Sequence, residues 1–507
     1  MLLETLVTTA AAVAATRSRL AKVDALAAML GELDAGEIAP AIGLLLGAPR
    51  QGRLGVGWRG FSAQHVAPAT EPTLTIADVD ARLDRLATVA GEGSAAVRAT
   101  ELGDLLAHAT GAEQEFLGRA LLGEVRTGAL AGVVTDGIAR AADLPGETVR
   151  RAAMLSGDLG ETARLALAGE PGAVAAVGLR VGRAVQPMLA ATAASASLAI
   201  ESVGEASVEF KMDGARIQVH RAGDDVRVFT RTLAEITHRV PEVVEVVRRM
   251  SVRDVILDGE TLALADDGRP RPFQETMARF GAEAAREATL HPWFFDVLHV
   301  DGRDLLDEPL SARLAELERI TGPHRMPGEV TADPAAAERV AAEALEAGHE
   351  GVVVKAIDSL YAAGRRGSSW IKVKPVHTYD LVVLGCEWGS GRREGWLSNL
   401  HLGARDPEGE FGEPGGFVMV GKTFKGLTDE LLRWQTARFP EIEVRRTART
   451  VFVEPVMVVE IAIDGVQRSS RYPGGVALRF ARVKRYRDDK AADEADTIQA
   501  LRALLRG

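Results

Sequence analysis

Cysteine is nearly absent from this 507-residue sequence, which contains only Cys386. A single thiol excludes both a disulfide framework and a cysteine-rich zinc site. Positive charge is also in deficit, because 60 Lys and Arg residues stand against 71 Asp and Glu residues, for a net charge of −11. This balance excludes a uniformly basic coat for binding nucleic acid, but it is compatible with a local basic surface.

Long hydrophobic runs are missing as well. The longest apolar stretches are shorter than the ~18 residues that a membrane-spanning helix requires. An alanine-rich run near the N terminus follows the acidic Glu4 and precedes Arg17, Arg19 and Lys22, whereas a secretory signal has the opposite order. The run therefore predicts an ordinary helix, and we expect a cytoplasmic protein with no membrane segment.

The chain length predicts about three domains. Residues 1–175 carry apolar residues at helical spacing, and Thr75 with Asp78 marks the start of one helix. Residues 176–377 mix strand-like and helical segments, which predicts an α+β domain. Residues 378–507 contain several short strands separated by glycine turns, which is typical of a small β-barrel. The predicted fold class is therefore a multidomain α+β protein.

Two strand pairs are predicted early in the middle region. ARIQVHR and DVRVFTR alternate apolar and polar residues around the turn AGDD, which is typical of a hairpin. VILDGETLALADDGR predicts a second pair of adjacent strands. Helices are predicted for PEVVEVVRRM, SARLAELERI and AAERVAAEALEAG, the last of which ends at Gly348.

The sharpest chemical signal is the segment 211–216 (KMDGAR), which follows a predicted strand. A lysine beside a carboxylate and a tight glycine turn suits a covalent nucleophile. The same residues also suit the exposed end of an ordinary hairpin, so this motif alone leaves both interpretations open.

Two further segments are rich in positive charge. Residues 365–374 (RRGSSWIKVK) contain no acidic residue, and a strand there would place Lys372 and Lys374 on one face. Residues 479–490 include six basic residues among twelve. Each segment suits contacts with phosphate, but each also suits a solvated strand or an edge strand protected by charge.

Taken together, these segments closely resemble the ATP-dependent DNA ligases of the nucleotidyltransferase superfamily. KMDGAR matches the family's KxDGxR, and TRTLAEIT, LDGE, FFD, EGVVVK, WIKVK and RFARVKRYRDDK follow in the family's order. EFLGRALLGEVRTG resembles part of the helical DNA-binding domain of the larger ligases. The resemblance implies three domains: an all-α DNA-binding domain (1–175), an α+β adenylation domain (176–377) and an OB-fold β-barrel (378–507).

The resemblance implies an enzyme that joins a 3′-hydroxyl to a 5′-phosphate at a nick in duplex DNA. ATP is the implied co-substrate and Mg²⁺ the implied cation. Lys211 would attack the α-phosphate to form lysyl-AMP, AMP would pass to the 5′-phosphate, and the 3′-hydroxyl would displace it. The attacking amine must be neutral, and we expect the neighbouring cations Arg216, Lys372 and Lys374 to favour that form.

The remaining site residues also follow from the resemblance. Glu209 corresponds to the position that reads adenine, and Phe295 to the ring that stacks on the base. Glu260 and Glu350 correspond to groups that hold metal or ribose, and Asp213 to a group that orients the reacting atoms. The implied set of ATP- and AMP-binding residues is completed by Arg216, Arg231, Glu260, Arg366, Lys372, Lys374, Arg487 and Lys490.

The resemblance further implies that the barrel swings about residues 376–380. In one pose Arg487 and Lys490 would contact the pyrophosphate, and in the other the barrel would face DNA. We expect a monomer that grips nicked double-stranded DNA through its phosphates. A sliding clamp or repair proteins are conceivable partners that the sequence does not identify.

Three alternatives remain at this stage. An RNA ligase or an mRNA-capping guanylyltransferase belongs to the same superfamily, but the helical N-terminal region argues against both. A nick-binding scaffold without catalysis would require a damaged motif, and none is visible. An NAD⁺-dependent ligase is disfavoured because that family carries a four-cysteine zinc element.

Overall fold

A computed structural model of the chain describes residues 1–505, apart from 53, 65, 92, 124, 126–130, 272, 274, 278–288, 363–365 and 391–392. The side chains of Arg59 and Arg366 also lie outside the description. Within the described part of the chain, no helix is long and apolar enough to span a membrane.

The N-terminal region is helical, as the apolar spacing predicts. The predicted helix start at Thr75 is confirmed, because Thr75 and Asp78 form a reciprocal capping box. Buried leucine, isoleucine and valine side chains of these helices form one continuous core. The helices are α1 Leu3–Ala15, α2 Arg19–Leu30, α3 Ala35–Leu46, α4 Trp58–Ser62, α5 Ile76–Thr88, α6 Ser94–Ala107, α7 Gly111–Leu121, α8 Ala131–Ala141, α9 Gly146–Ser156 and α10 Leu159–Ala168.

The middle region contains ten strands and interspersed helices among its described residues. Its strands are β1 Leu189–Ala193, β2 Ala206–Lys211, β3 Ala215–Ala222, β4 Asp225–Thr230, β5 Asp254–Ala263, β6 Leu290–Val300, β7 Arg303–Asp304, β8 Gly328–Thr331, β9 Gly351–Ala356 and β10 Arg366–Val373. Its helices are α11 Ala196–Val203, α12 Pro241–Arg248, α13 Leu310–Thr321 and α14 Pro334–Glu346. This mixture confirms the predicted α+β character.

These strands form two sheets. The first has the order β1-β10-β9-β2-β8, in which β1 and β10 are parallel and the other pairs are antiparallel. The second has the order β4-β3-β5-β6-β7 and is antiparallel throughout. Helices α11 and α14 cover one face of the first sheet, and α12 and α13 pack on the second sheet. Both sheets therefore keep another face for a site.

One predicted strand pair is confirmed and the other is wrong. β3 and β4 form the hairpin around residues 222–225. The segment VILDGETLALADDGR instead supplies one long strand, β5, and beyond it a short turn with an isolated bridge joins Leu264 to Pro270. β5 lies in the middle of its sheet, where β3 and the distant β6 satisfy its backbone on both sides.

The C-terminal region is rich in strands, as predicted. Its elements are β11 His377–Trp388, β12 Leu397–Asp406, β13 Gly416–Thr423, α15 Asp429–Arg438, β14 Glu443–Arg446, β15 Thr450–Val453, β16 Val458–Ile463, β17 Gly465–Arg468, β18 Val476–Arg479, β19 Arg482–Tyr486 and α16 Ile498–Arg502. Long β11 pairs with β12, β15 and β16 in turn, so the sheet curls around one apolar core. Most of the predicted hinge lies inside β11, because His377 already pairs with Ile463.

Candidate active site

A single cleft brings together most of the predicted site residues. Both sheets of the middle region and the C-terminal barrel contribute to its walls. The predicted residues that line it are Glu209, Lys211, Asp213, Arg216, Arg231, Glu260, Phe295, Glu350, Lys372 and Lys374. They are spread over more than 160 positions of the chain, so the fold assembles the site from distant segments.

Strand alternation explains why the first sheet presents these side chains together. On β2, Ala206 and Val208 pack against the covering helices, so Glu209 and Lys211 point to the opposite face. The same alternation on β9 and β10 buries valines and isoleucine under the helices. It turns Lys355, Trp370 and Lys372 toward the cleft.

Lys211 lies at the end of β2 and donates a hydrogen bond to the carboxylate of Glu350. The Glu350 N–H in turn donates to the Lys211 carbonyl at 2.9 Å, so both the backbone and the side chains join these residues. The turn after Lys211 requires a glycine, because a Cβ on Gly214 would lie 2.5 Å from the Thr261 carbonyl oxygen. The nearest partner of the amine is therefore a carboxylate and not one of the expected cations.

The cations near Lys211 are themselves engaged. Arg216 donates to both oxygens of the buried Asp258 at 3.0 and 2.6 Å, and to the Met188 carbonyl at 2.7 Å. The Tyr361 hydroxyl donates to the same Asp258 carboxylate at 2.8 Å. The guanidinium of Arg216 lies 5.3 Å from the centre of the Phe295 ring. Arg216 therefore lines the cleft and also links Asp258, Met188 and the Phe295 ring behind it.

Glu209 lies on the same face of β2 as Lys211, two residues before it, and is almost fully buried. Burial alone would raise the pKa of its carboxyl, but the positive charges of Lys355 and Arg325 outweigh burial and lower that pKa. The Lys355 amine lies 2.5 Å from Glu209, and 4.4 Å from the centres of both the Phe295 and Trp370 rings. A buried carboxylate beside a partly buried aromatic face suits recognition of a purine base.

Glu260 is an acidic group of the cleft whose pKa is raised. Burial raises the pKa of Glu260 to about 7, against the attraction of Lys211 and Arg216. The negative charges of Asp258 and Asp213 act in the same direction as burial. A carboxyl group that lacks sufficient positive charge around it is suited to receive a cation.

The C-terminal barrel closes the cleft through two ion pairs. Arg479 donates to both oxygens of Asp213 at 2.5 and 3.1 Å. Lys374 donates to Asp464 at 2.6 Å. Phe480, which is exposed and has a left-handed backbone, also lines the cleft from this side. The acidic residue of KMDGAR is thus bound by the barrel in this arrangement.

Two predicted residues, Arg487 and Lys490, are described and do not line the cleft. Arg487 and Lys490 both donate to Asp380, at 2.8 and 2.7 Å, within the barrel itself. The side chain of Arg366 lies outside the described residues. In this pose the barrel instead presents Lys425, Asp464, Arg479, Phe480 and Arg482 to the cleft.

Four residues around the cleft were missed by sequence reasoning. Lys355 ends the apolar run VVVK, and strand alternation would have placed it on the same face as Val353. Trp370 stands two residues before Lys372 and shares its face for the same reason. Arg325 had no comparable signal, and Arg479 was noted only as the first residue of the basic segment 479–490, because the partners of both are distant in sequence.

Comparison with known proteins agrees with this geometry. Family models match residues 187–374 (ATP dependent DNA ligase domain), 393–490 (ATP dependent DNA ligase C terminal region) and 59–139 (DNA ligase N terminus). The chain is 71% identical over 506 residues to a probable DNA ligase of Pseudarthrobacter chlorophenolicus, which it matches over 100% of both chains. It is 59% identical over 504 residues to a probable DNA ligase of Saccharopolyspora erythraea, covering 99% of this chain and 98% of the relative.

The fold is also found among solved structures. The structure described as Pmar-Lig_PreS3 has a TM-score of 0.63 and 18% identity, and the match covers 95% of this chain and 99% of that one. This likeness bears out the predicted architecture of a helical N-terminal region, a central adenylation domain and a β-rich C-terminal domain. With the matches at 71% and 59% identity over nearly the whole sequence, it follows that the chain belongs to the family of ATP-dependent DNA ligases.

Proposed function

We propose that this ligase seals 3′-hydroxyl/5′-phosphate nicks in duplex DNA through a lysyl-AMP at Lys211 and a DNA-adenylate. The observation that carries the proposal is the position of the Lys211 amine, in a cleft lined by Glu260, Glu350 and Lys372. Nick sealing serves DNA repair, replication or recombination, and we propose this range of roles for the protein as a monomer in the cytoplasm.

Lys211 supplies the nucleophile in this proposal. A bond forms between its nitrogen and the α-phosphorus of ATP, and the bond from that phosphorus to the pyrophosphate oxygen breaks. The amine must first lose its proton and its hydrogen bond to Glu350. Asp213 would orient the reacting groups, and for this it must leave Arg479.

The base and the phosphates would occupy opposite ends of the cleft. Phe295 would stack on adenine, and Glu209 would accept a hydrogen bond from its amino group. The triphosphate requires positive charge, which Lys372, Lys374 and Arg231 offer at the other end. Arg216, Arg366, Arg487 and Lys490 complete the proposed ATP- and AMP-binding set, the last two after the barrel has moved.

Glu260 and Glu350 are the residues that would hold Mg²⁺. No group of three or more His, Cys, Asp and Glu side chains arranged for a metal occurs among the described residues. Two carboxylates suit Mg²⁺, because this ion is commonly bound by one or two carboxylates together with substrate phosphates. When bound, the ion would neutralise phosphate charge. Burial raises the pKa of Glu260 to about 7, and a cation bound beside it would favour its charged form.

The division into domains at residues 1–175, 176–377 and 378–507 is part of the proposal. The helical region would hold the duplex through its phosphates, and the barrel would cover the nick from the other side. Contacts with phosphate carry no sequence information, so nick binding would be independent of sequence.

The direct test follows label from α-labelled ATP. With Mg²⁺, the wild-type chain should form a labelled protein adduct, and a nicked duplex should discharge it as the nick is sealed. Lys211→Ala should form no adduct, whereas the control Lys22→Ala, in helix α2, should form it normally. Labelled GTP tests the guanylyltransferase alternative. A labelled Lys211→Ala protein, or an adduct formed with GTP alone, would contradict the proposal.

A further inference from the structure

A short segment, residues 325–328, ties the two sheets together at the base end of the cleft. The Met326 N–H donates to the Phe294 carbonyl at 2.8 Å, which joins the segment to β6. Gly328 begins β8 and pairs with β2. A Cβ at Gly328 would lie 2.4 Å from the Val208 carbonyl oxygen, so this close approach requires glycine. The inter-sheet segment (residues 325–328) is therefore held in one position relative to both sheets.

This segment places the guanidinium of Arg325 beside the carboxylate of Glu209. Arg325 Nη2 donates to Glu209 Oε1 at 2.7 Å, and Nη1 donates to the Met326 carbonyl at 2.8 Å. Both ends of the guanidinium are thus bound to protein. Glu209 lines the cleft but Arg325 does not, so Arg325 acts on a ligand only through that carboxylate.

The hydrogen bonds of Glu209 can be counted. Oε1 accepts from Arg325 and from the Ser207 hydroxyl at 2.9 Å, and Oε2 accepts from Lys355 at 2.5 Å. A carboxylate offers about four acceptor positions. Described residues of the protein use three of them, which leaves one position on Oε2 with respect to that part of the chain, on a residue that lines the cleft.

We propose that Arg325 is a positioning residue that makes the enzyme selective for purine triphosphates with a 6-amino group. Arg325 fixes Oε1 of Glu209 by a hydrogen bond. The open acceptor position on Oε2 is then directed at the edge of the nucleotide base that carries position 6. An exocyclic amine at C6 donates to that position, whereas an oxo group there presents a second acceptor and is repelled. This inference rests on the proposed function, in which Glu209 reads the base.

The test measures kcat/KM for protein–nucleotide adduct formation with ATP and with purine riboside triphosphate, which lacks the 6-amino group. Wild type should prefer ATP by about 10- to 100-fold, the value of one hydrogen bond to a charged group. For Arg325→Gln, kcat/KM with ATP should fall at least about tenfold relative to wild type, whereas kcat/KM with the analogue should stay within about twofold of wild type. Arg325→Lys should keep part of the preference for ATP, because lysine keeps the positive charge but lacks the planar pair of guanidinium donors.

The matched control is Arg339→Gln. It removes an exposed arginine of helix α14 that pairs with Glu329, a residue of strand β8. It should leave both substrates unchanged. In a Glu209→Ala background, Arg325→Gln should have no further effect on the preference. Equal losses of Arg325→Gln on both substrates would show a merely structural role and overturn the inference. No preference in wild type would also overturn it, whereas absence of any adduct in wild type would overturn the proposed function instead.

Discussion

His220 is a buried neutral histidine that fastens the segment between the helical region and the first sheet. Its ring is 1% exposed, and the Gly182 N–H donates to Nδ1 at 3.0 Å. Nδ1 therefore carries no proton, and Nε2 donates to the Gln218 side-chain oxygen at 2.9 Å. The side-chain amide of Gln218 also accepts a hydrogen bond from the Val185 N–H and donates one to the Val185 carbonyl. Protonation of His220 would break the bond to Gly182.

The magnitude follows from the pKa of this ring. Burial lowers the pKa of His220 to about 3, and repulsion from His299 and Arg227 acts in the same direction. Between pH 6.5 and pH 3 the unfolded chain binds this proton and the folded chain does not. The stabilisation is therefore complete above pH 6.5 and is lost as the pH falls through this range. The loss is about 2 kcal/mol between pH 7 and pH 5, and about 4–5 kcal/mol over the whole range.

Calorimetry at pH 7 and pH 5 measures this contribution. For a domain of this size, about 2 kcal/mol corresponds to a fall in Tm of roughly 4–8 °C. His220→Asn keeps an acceptor for the Gly182 N–H but cannot be protonated, so it should remove most of this pH-dependent fall. The control His108→Asn changes an exposed histidine and should keep the wild-type fall. Equal falls for wild type and His220→Asn would refute the reasoning.

Three further predictions concern packing, closure and DNA binding. Arg313→Met should cost about 3–5 kcal/mol of stability in a denaturant titration, because it leaves the fully buried Asp296 carboxylate without its charge partner; the double variant with Asp296→Asn should recover much of this loss. Arg479→Ala should loosen the barrel from the cleft and speed proteolysis near residue 375, whereas Arg482→Ala, which removes an exposed arginine lining the same cleft, should not. Binding to a nicked duplex should weaken steeply and linearly on a log–log plot against salt, which a titration by fluorescence anisotropy checks.

The surroundings of Lys211, the proposed nucleophile, could be predicted because they depend on local pattern. Lys211, the first residue of KMDGAR, ends strand β2. Period-two alternation alone places Glu209 on the same face of that strand as Lys211. The same rule would have placed Lys355 with them, had it been applied to VVVK. The helix start at Thr75 was also predictable, because a capping box is made by residues three apart.

Other features depend on contacts that no local pattern contains. Arg325 reaches Glu209 across 116 positions, and Arg479 reaches Asp213 across 266. The partner of β5 is another case, because a central strand pairs with whichever strand the packing of the helices brings beside it. Arg487 and Lys490 carry the expected charges, but the fold of the barrel pairs both with its own Asp380, and neither lines the cleft.

Local sequence patterns thus identified the proposed reacting groups, since strand period, capping and motif spacing act over a few residues. Tertiary structure alone decided which charges neutralise one another. Lys211 faces Glu350 because β2 and β9 pair in one sheet, and Asp213 faces Arg479 because the barrel meets that sheet at the cleft. The physical reason is that electrostatic pairing depends on distance in space and on burial, and neither quantity can be read from neighbouring letters.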